Sequence, residues 1–158
     1  LAWFNQKLSY ARQMNMRCIV IGHHPIGEPD ISKQWTRQIL NILKRNADII
    51  KLMLFGHVHL DSFRLYRSVS PDLVPVIISP SMATWHDTDP CVRTIELSSD
   101  DLNPLYKQTT WKMSLKKGTW SKEYDLQFSN GTMSTGYYEY YNELLKSDHA
   151  GHLHSTLL

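Results

Sequence analysis

Two short, continuous apolar runs limit what this chain can fold into. Cys18–Ile21 and residues 49–55 are almost wholly apolar, which is typical of strands in the interior of a sheet. Between them, apolar residues recur at helical spacing over 31–43, and Asp30 or Ser32 is placed to cap that helix. A strand, a helix and a second strand favour parallel pairing with a right-handed crossover. The sequence therefore predicts an α/β fold, with Cys18–Ile21 buried on both faces.

The flanking segments predict further elements around this unit. Leu1, Phe4, Leu8 and Ala11 recur at helical spacing and predict a first helix. After residue 61, short apolar or alternating segments at 63–65, 73–78 and 92–97 predict mixed or antiparallel strands. We expect a peripheral strand and loops over 100–131, and a polar tail over 147–158. A closing helix between these segments is predicted from Tyr137, Tyr141, Leu144 and Leu145.

Composition excludes several classes of protein. A chain of 158 residues with 42% hydrophobic content can bury a core, which favours one globular domain. A net charge of only +2 argues against nucleic-acid binding. No apolar run approaches the roughly 20 residues that span a bilayer. We expect Cys18 and Cys91 to be free thiols, and Asn130 to be either a glycan acceptor or part of an ordinary turn.

Histidines follow both apolar runs directly. Gly56-His57-Val58-His59 comes after the second run, where open α/β sheets carry binding sites. In extended geometry the two Cα atoms would lie about 6.5 Å apart on one side of the chain. The pair could share one metal ion, serve two ions about 3.5–4 Å apart, or belong to an ordinary polar loop.

A second histidine segment comes after the first run. Gly22-His23-His24-Pro25 is either a metal-binding loop or a solvated turn held by Pro25. Because parallel strands joined by one helix end at the same sheet edge, the two histidine segments should lie side by side. The pattern therefore favours a site in which histidines from both segments converge.

This arrangement resembles the last two metal motifs of calcineurin-like metallophosphoesterases, and in particular the acid sphingomyelinase-like branch. The strings that carry the resemblance are Gly22-His23-His24-Pro25-Ile26-Gly27, Gly56-His57-Val58-His59-Leu60-Asp61-Ser62-Phe63, and Ser79-Pro80-Ser81 through Asp89-Pro90-Cys91-Val92-Arg93. The family usually has Ile-Pro-Pro where His24-Pro25-Ile26 stands, and Asn-Pro where Asp89-Pro90 stands. These departures concern substrate preference rather than the metals.

The resemblance implies a fold and a metal centre. Residues 1–100 would be the C-terminal half of a four-layer α/β/β/α sandwich, with 101–158 as a family extension. His23 and His57 would ligate one divalent ion and His59 a second, with zinc as the expected metal. The family's Asp-x-His and Asn-His motifs do not occur in these 158 residues. We therefore expect a missing N-terminal half to supply the bridging carboxylate and the catalytic histidine, and the chain alone to be inactive.

The resemblance also implies a substrate. Trp85, His86 and His24 are the candidates for contacting it, and Trp85 could hold a choline ammonium by cation–π attraction or be packed beneath a loop. We interpret Arg93 as an ion-pair anchor for the loop, with a phosphate ligand as the alternative. The tail histidines His149, His152 and His154 lack neighbours that could orient metal ligands.

The implied reaction is hydrolysis of a phosphodiester. The expected substrate is a phospholipid such as sphingomyelin, which would give ceramide and phosphocholine, with membrane contact only through that lipid. Nucleotide phosphodiesters and polyphosphate are alternative substrates, and a non-catalytic half-domain is an alternative to an enzyme. The resemblance places the protein outside the cell or in a lysosome or vacuole.

Overall fold

The computed structural model describes residues 1–67, 73–97 and 106–128, together with 136, 139–140, 142–143 and 155–157. The elements are helices α1 (Ala2–Gln13) and α2 (Lys33–Asn46), a 3-10 helix (Trp85–Asp87), and strands β1 (Cys18–Ile21), β2 (Ile50–Phe55), β3 (Ser62–Arg67), β4 (Leu73–Ile78), β5 (Cys91–Leu97), β6 (Tyr106–Ser114), β7 (Thr119–Phe128) and β8 (Ser155–Leu157). No helix among the described residues is long and apolar enough to cross a membrane.

The larger sheet has five strands in the order β1-β2-β4-β3-β8. β1, β2 and β4 run parallel, and β3 is antiparallel to β4. Leu43 and Ile39 of α2 join Leu8 of α1 and Met53 of β2 in the main core cluster. The predicted α/β class and the parallel strand-helix-strand unit are confirmed, whereas the four-layer sandwich stays a prediction.

The cap of α2 is one of the two residues predicted. The Ser32 Oγ accepts a hydrogen bond from the Trp35 N–H at 3.5 Å, so Ser32 is the N-cap. Asp30 lies two residues before the cap, and its carboxylate faces the histidines instead.

The prediction that β1 is buried on both faces is wrong. Its burial alternates, and Ile19 and Ile21 are 46% and 77% exposed. β1 is the last strand of the sheet, so it pairs with a neighbouring strand on one side only. A cavity of about 590 Å³ is lined by residues of α1, β1 and α2, with His23 and His24 in its wall. An apolar run predicts a strand, but whether each of its faces is buried depends on the elements that pack against it.

The sequence analysis predicted fewer strands in the second sheet than the structure contains. β5, which corresponds to the strand predicted at 92–97, forms a three-stranded antiparallel sheet with β6 and β7. β6 and β7 stand in place of the peripheral strand and loops predicted over 100–131. Gly118 adopts a φ of 65° in the turn between β6 and β7, a conformation that favours glycine. The two strands are 9 and 10 residues long, and many of their side chains are polar, which hid them from a hydrophobic pattern.

The C-terminal segment differs from the predicted polar tail. Residues Ser155–Leu157 form β8, which pairs in parallel with β3 at the edge of the larger sheet. Positions 139, 140, 142 and 143 are helical. Tyr137, Tyr141, Leu144 and Leu145, from which the closing helix was predicted, lie outside the described residues.

Gly22 is expected to be required for the close packing of β1 on β2. A Cβ at this position would lie 2.7 Å from Cε1 of Phe55, whose ring is buried. Gly22→Ala should lower the free energy of unfolding by about 1–3 kcal/mol through overpacking. Gly56→Ala is the matched control, because its Cβ would find no atom closer than 3.7 Å. Urea denaturation measures both variants, and equal midpoints would contradict the packing argument.

Candidate metal centre

The main chain brings the two histidine segments together at the C-terminal ends of β1 and β2. The Gly22 N–H donates to the Leu54 carbonyl at 3.0 Å, and the Gly56 N–H donates to the His23 carbonyl at 3.0 Å. Hydrogen bonding between the strands therefore continues one step beyond the sheet. This continuation fixes His23 next to the residue that precedes His57.

Three imidazoles meet at this edge: His23, His24 and His57. Each offers a ring nitrogen, and these nitrogens all lie within 4.8 Å of one another. The side chains of His24 and His57 are 42% and 33% exposed, so the cluster opens to solvent. The structure thus includes His24 in the cluster, whereas the resemblance implied His59 as the third ligand and placed His24 on the substrate.

The ring geometry separates the possible pairs of ligands. Two imidazoles on one tetrahedral ion have centroids about 5 Å apart when the metal–nitrogen bonds are about 2.0–2.1 Å. His23 lies 5.4 Å from His57 with an interplanar angle of 75°, and 5.2 Å from His24 with an angle of 81°. The rings of His24 and His57 are only 3.6 Å apart. His23 can therefore share an ion with either neighbour, but His24 and His57 are stacked too closely to share one as they stand.

The prediction of an extended His57-Val58-His59 segment is wrong. His57 and His59 have φ values of 68° and 65°, which non-glycine residues rarely adopt. The Val58 N–H donates to the Gly56 carbonyl at 2.8 Å and closes a tight turn around His57. Side chains at i and i+2 share a side only in an extended strand. Each such residue costs roughly 1–3 kcal/mol, and strained residues of this kind cluster at functional sites.

His59 lies apart from the three-histidine cluster but has an unused ring nitrogen. Its Nδ1 is buried and has no hydrogen-bond partner among the described residues. A buried polar atom left without a partner costs about 1–3 kcal/mol, and such atoms are rare in folded proteins. An imidazole nitrogen in this state is available to accept a metal ion.

Asp30 is the residue at this site that sequence reasoning missed. Its Oδ2 lies 3.0 Å from the Nε2 of His57 and 3.5 Å from the Nδ1 of His24. The sequence analysis considered Asp30 only as a helix cap. An acidic residue in the same loop as His23 and His24 was the available signal, but without the tight turn at His57 nothing in the sequence placed the two side chains together.

A buried polar network fixes the segment that follows His59 to the second sheet. Arg93 on β5 forms an ion pair with Asp61, and its side chain is only 2% exposed. The Tyr124 hydroxyl donates to Asp61, and Arg93 also donates to the Thr110 Oγ1 at 3.0 Å. Burial raises the pKa of Tyr124 well above its usual range, so the phenol stays protonated and can donate. The interpretation of Arg93 as an ion-pair anchor is confirmed.

The remaining predicted site residues are less closely defined. Trp85 lies in the 3-10 helix Trp85–Asp87 and is 66% exposed, so it is not packed beneath a loop. His86 belongs to the same helix, but its side chain lies outside the described part of the chain. Asn130, His149, His152 and His154 also lie outside it. A glycan at Asn130 and substrate contacts of His86 stay predictions.

The described side chains fit a divalent metal. Imidazole nitrogens suit zinc, copper, iron and nickel, and the cluster combines them with a carboxylate from Asp30. The Nδ1 of His59, which has no partner among the described residues, adds a further donor. This combination of donors therefore fits a transition-metal ion.

Comparison with known proteins finds relatives with consistent names, although no protein-family model matches the chain. Sphingomyelin phosphodiesterase B of Dictyostelium discoideum is 27% identical over 140 residues, covering 79% of this chain. Sphingomyelin phosphodiesterase 1 of Caenorhabditis elegans is 25% identical over 142 residues, covering 83%. Human acid sphingomyelinase-like phosphodiesterase 3b is 28% identical over 152 residues, covering 82%. The matches span 22%, 25% and 33% of the lengths of these relatives.

Proposed function

We propose that this chain, which is similar over 79–83% of its length to sphingomyelin phosphodiesterases and to an acid sphingomyelinase-like phosphodiesterase, forms part of a metal-dependent phosphodiester hydrolase. The observation that carries the proposal is the meeting of His23, His24 and His57 at the C-terminal ends of two parallel strands. In open α/β sheets this is the edge at which ligands bind.

The proposed ligands are His23 and His57 for one ion and His59 for a second. The 5.4 Å separation of the His23 and His57 rings suits two imidazoles on one ion. The Nδ1 of His59, which has no hydrogen-bond partner among the described residues, suits the second. Two divalent ions bound there, zinc in our proposal, would supply positive charge that neutralises the phosphate oxygens and would activate water for attack. We propose that a bridging carboxylate and the catalytic histidine come from outside these 158 residues.

The chain's own residues hold this centre in place. Hydrogen bonding of the main chain fixes His23 beside Gly56, and the tight turn directs His57 towards His23. The ion pair of Arg93 with Asp61 holds the segment that follows His59 against the second sheet. The strand ends and the buried ion pair hold the proposed ligands in place, so that the metal site is formed before substrate binds.

The proposed substrate is sphingomyelin, cleaved to ceramide and phosphocholine. The names of the relatives support a phospholipid, and the position of Trp85 supports a choline headgroup. The Ser79 N–H donates to the Phe55 carbonyl at 2.8 Å, so the segment leading to Trp85 leaves the sheet beside Gly56. A tryptophan that is largely exposed on that segment is suited to cation–π attraction with a quaternary ammonium. A secreted or lysosomal location is part of the same proposal.

Trp85→Ala is expected to impair cleavage of choline-bearing substrates selectively. Cation–π attraction of up to about 2 kcal/mol corresponds to at most roughly thirtyfold in kcat/KM. Sphingomyelin should therefore lose more than a small chromogenic phosphodiester does. Trp120→Ala, which removes a half-exposed tryptophan from β7, is the matched control and should affect neither substrate. Equal losses on both substrates in Trp85→Ala would show that the ring has no headgroup role.

The experiment that tests the proposed function is a substrate comparison with the full-length protein. Release of phosphocholine from sphingomyelin is measured beside hydrolysis of a nucleotide phosphodiester, polyphosphate and a chromogenic phosphodiester. We expect sphingomyelin to be cleaved with the highest kcat/KM. Efficient cleavage of nucleotides or polyphosphate without any cleavage of sphingomyelin would contradict the lipid assignment, and inactivity on every substrate would favour a non-catalytic half-domain.

A further inference from the structure

We propose that Asp30 is a positioning residue of the metal centre, which holds His57 so that its Nδ1, and not its Nε2, faces the metal. This inference rests on the proposed function and extends it to a residue that the resemblance does not include. The observation that carries it is the 3.0 Å distance between the Asp30 Oδ2 and the His57 Nε2.

The hydrogen bond selects one tautomer of His57. An ionised carboxylate can only accept, so a hydrogen bond between it and the Nε2 of His57 requires the proton to be on Nε2. In a neutral imidazole the other nitrogen then has the free lone pair, which places the metal-binding role on Nδ1. Carboxylates that accept from the second nitrogen of a metal-ligating histidine fix its tautomer, orient its ring and increase its basicity.

His24 takes part in the same contact without being needed as a ligand. Its Nδ1 lies 3.5 Å from the Asp30 Oδ2, and its ring lies against that of His57 with centroids 3.6 Å apart. Asp30 therefore contacts two neighbouring imidazoles with one oxygen. The stack and the hydrogen bond together restrict rotation of the His57 ring, whose backbone is already confined to a tight turn.

The loop that carries Asp30 is itself anchored. Glu28 and Arg64 of β3 form an ion pair in which both side chains are largely buried, at 15% and 16% exposure. Arg64 also donates to the Ile26 carbonyl at 3.0 Å, and the Ile31 N–H donates to the Glu28 carbonyl at 3.0 Å. Asp30 is thus held between an anchored turn and the start of α2, which distinguishes it from a freely moving surface acid.

A second half-exposed aspartate provides a matched control. Asp48 is 51% exposed and Asp30 is 52% exposed. Asp48 accepts hydrogen bonds from Arg12, which lies on α1. Replacing either aspartate by asparagine removes one negative charge from a similarly exposed position, but only Asp30 contacts the histidines.

The test compares metal affinity and histidine tautomers in the two asparagine variants. Titration with Co²⁺, followed by its visible absorption, should show affinity about 10–100-fold weaker in Asp30→Asn than in the wild type, and unchanged in Asp48→Asn. Asp30→Glu, which keeps the carboxylate, should recover part of the loss. In the metal-free wild type, nitrogen-15 NMR of the imidazoles should show His57 protonated at Nε2, and this preference should weaken in Asp30→Asn.

The outcomes separate this inference from the proposed function. If His57→Ala weakens Co²⁺ binding while Asp30→Asn binds as the wild type does, or if His57 carries its proton on Nδ1, the role of Asp30 is overturned and the metal centre stands. If neither His57→Ala nor Asp30→Asn changes Co²⁺ affinity, both proposals fail. Thermal unfolding of each variant shows whether a loss of affinity reflects the site or the fold.

Discussion

His57→Ala is expected to reduce the metal affinity of the protein by more than about 100-fold, beyond the effect of losing a supporting residue around a metal ligand. The variant removes one imidazole from the ion that His23 and His57 are proposed to share, and a single remaining histidine from this chain cannot hold that ion tightly. His23→Ala should have the same effect, because the two rings lie 5.4 Å apart in the arrangement of co-ligands. His59→Ala should lower the occupancy of the second ion instead.

Two further histidine variants serve as controls for this result. His24→Ala and His152→Ala should leave the number of bound ions at saturating metal unchanged, since neither is a proposed ligand. Elemental analysis of the five variants after exchange into a zinc-containing buffer gives the stoichiometry. Loss of metal in His24→Ala with full occupancy in His23→Ala would contradict the assignment of His23 as a ligand.

Arg93→Ala is expected to lower the free energy of unfolding by about 3–5 kcal/mol, because removing one partner of a buried ion pair leaves the other charge uncompensated. The side chain of Arg93 is 2% exposed, and it contacts Asp61, Thr110 and Tyr124 at once. Its loss therefore detaches the segment after His59 from the second sheet as well as removing the charge pair.

An exposed ion pair on the same sheet provides the control for Arg93. Lys107 on β6 pairs with Glu96 on β5 at 3.3 Å, with side chains 37% and 66% exposed. Lys107→Ala should cost no more than about 1 kcal/mol, as is usual for surface pairs. Urea denaturation at neutral pH compares the two variants. Similar midpoints would mean that Arg93 does not anchor the loop.

The parts of the fold that were predicted correctly depend on local pattern. The parallel unit of β1, α2 and β2 follows from two apolar runs and a helical stripe, and Ser32 was one of two expected caps. The strands β6 and β7 were missed, because tryptophans and tyrosines in them stand among many polar residues. The exposed face of β1 could not be foreseen either, since it depends on which elements pack against it.

The candidate site was also predicted only in part. That His23 and His57 meet follows from parallel strands ending at one sheet edge, which sequence order alone supplies. The positive φ values of His57 and His59 could not be predicted, because the glycine of this turn stands at position 56 and not at either of the two positions that adopt them. Asp30 was not recognised for the same reason, since its contact with His57 depends on the direction in which that turn sends the ring.

The central claim is that this chain provides metal ligands for phosphodiester hydrolysis, and chelation of the full-length protein tests it most directly. Hydrolysis of a chromogenic phosphodiester is measured before chelation, after removal of metal confirmed by elemental analysis, and after addition of zinc. The account predicts that turnover disappears with the metal and returns with zinc in the wild type, but does not return at the same zinc concentration in His57→Ala. Unchanged turnover in protein shown to be free of metal would contradict it.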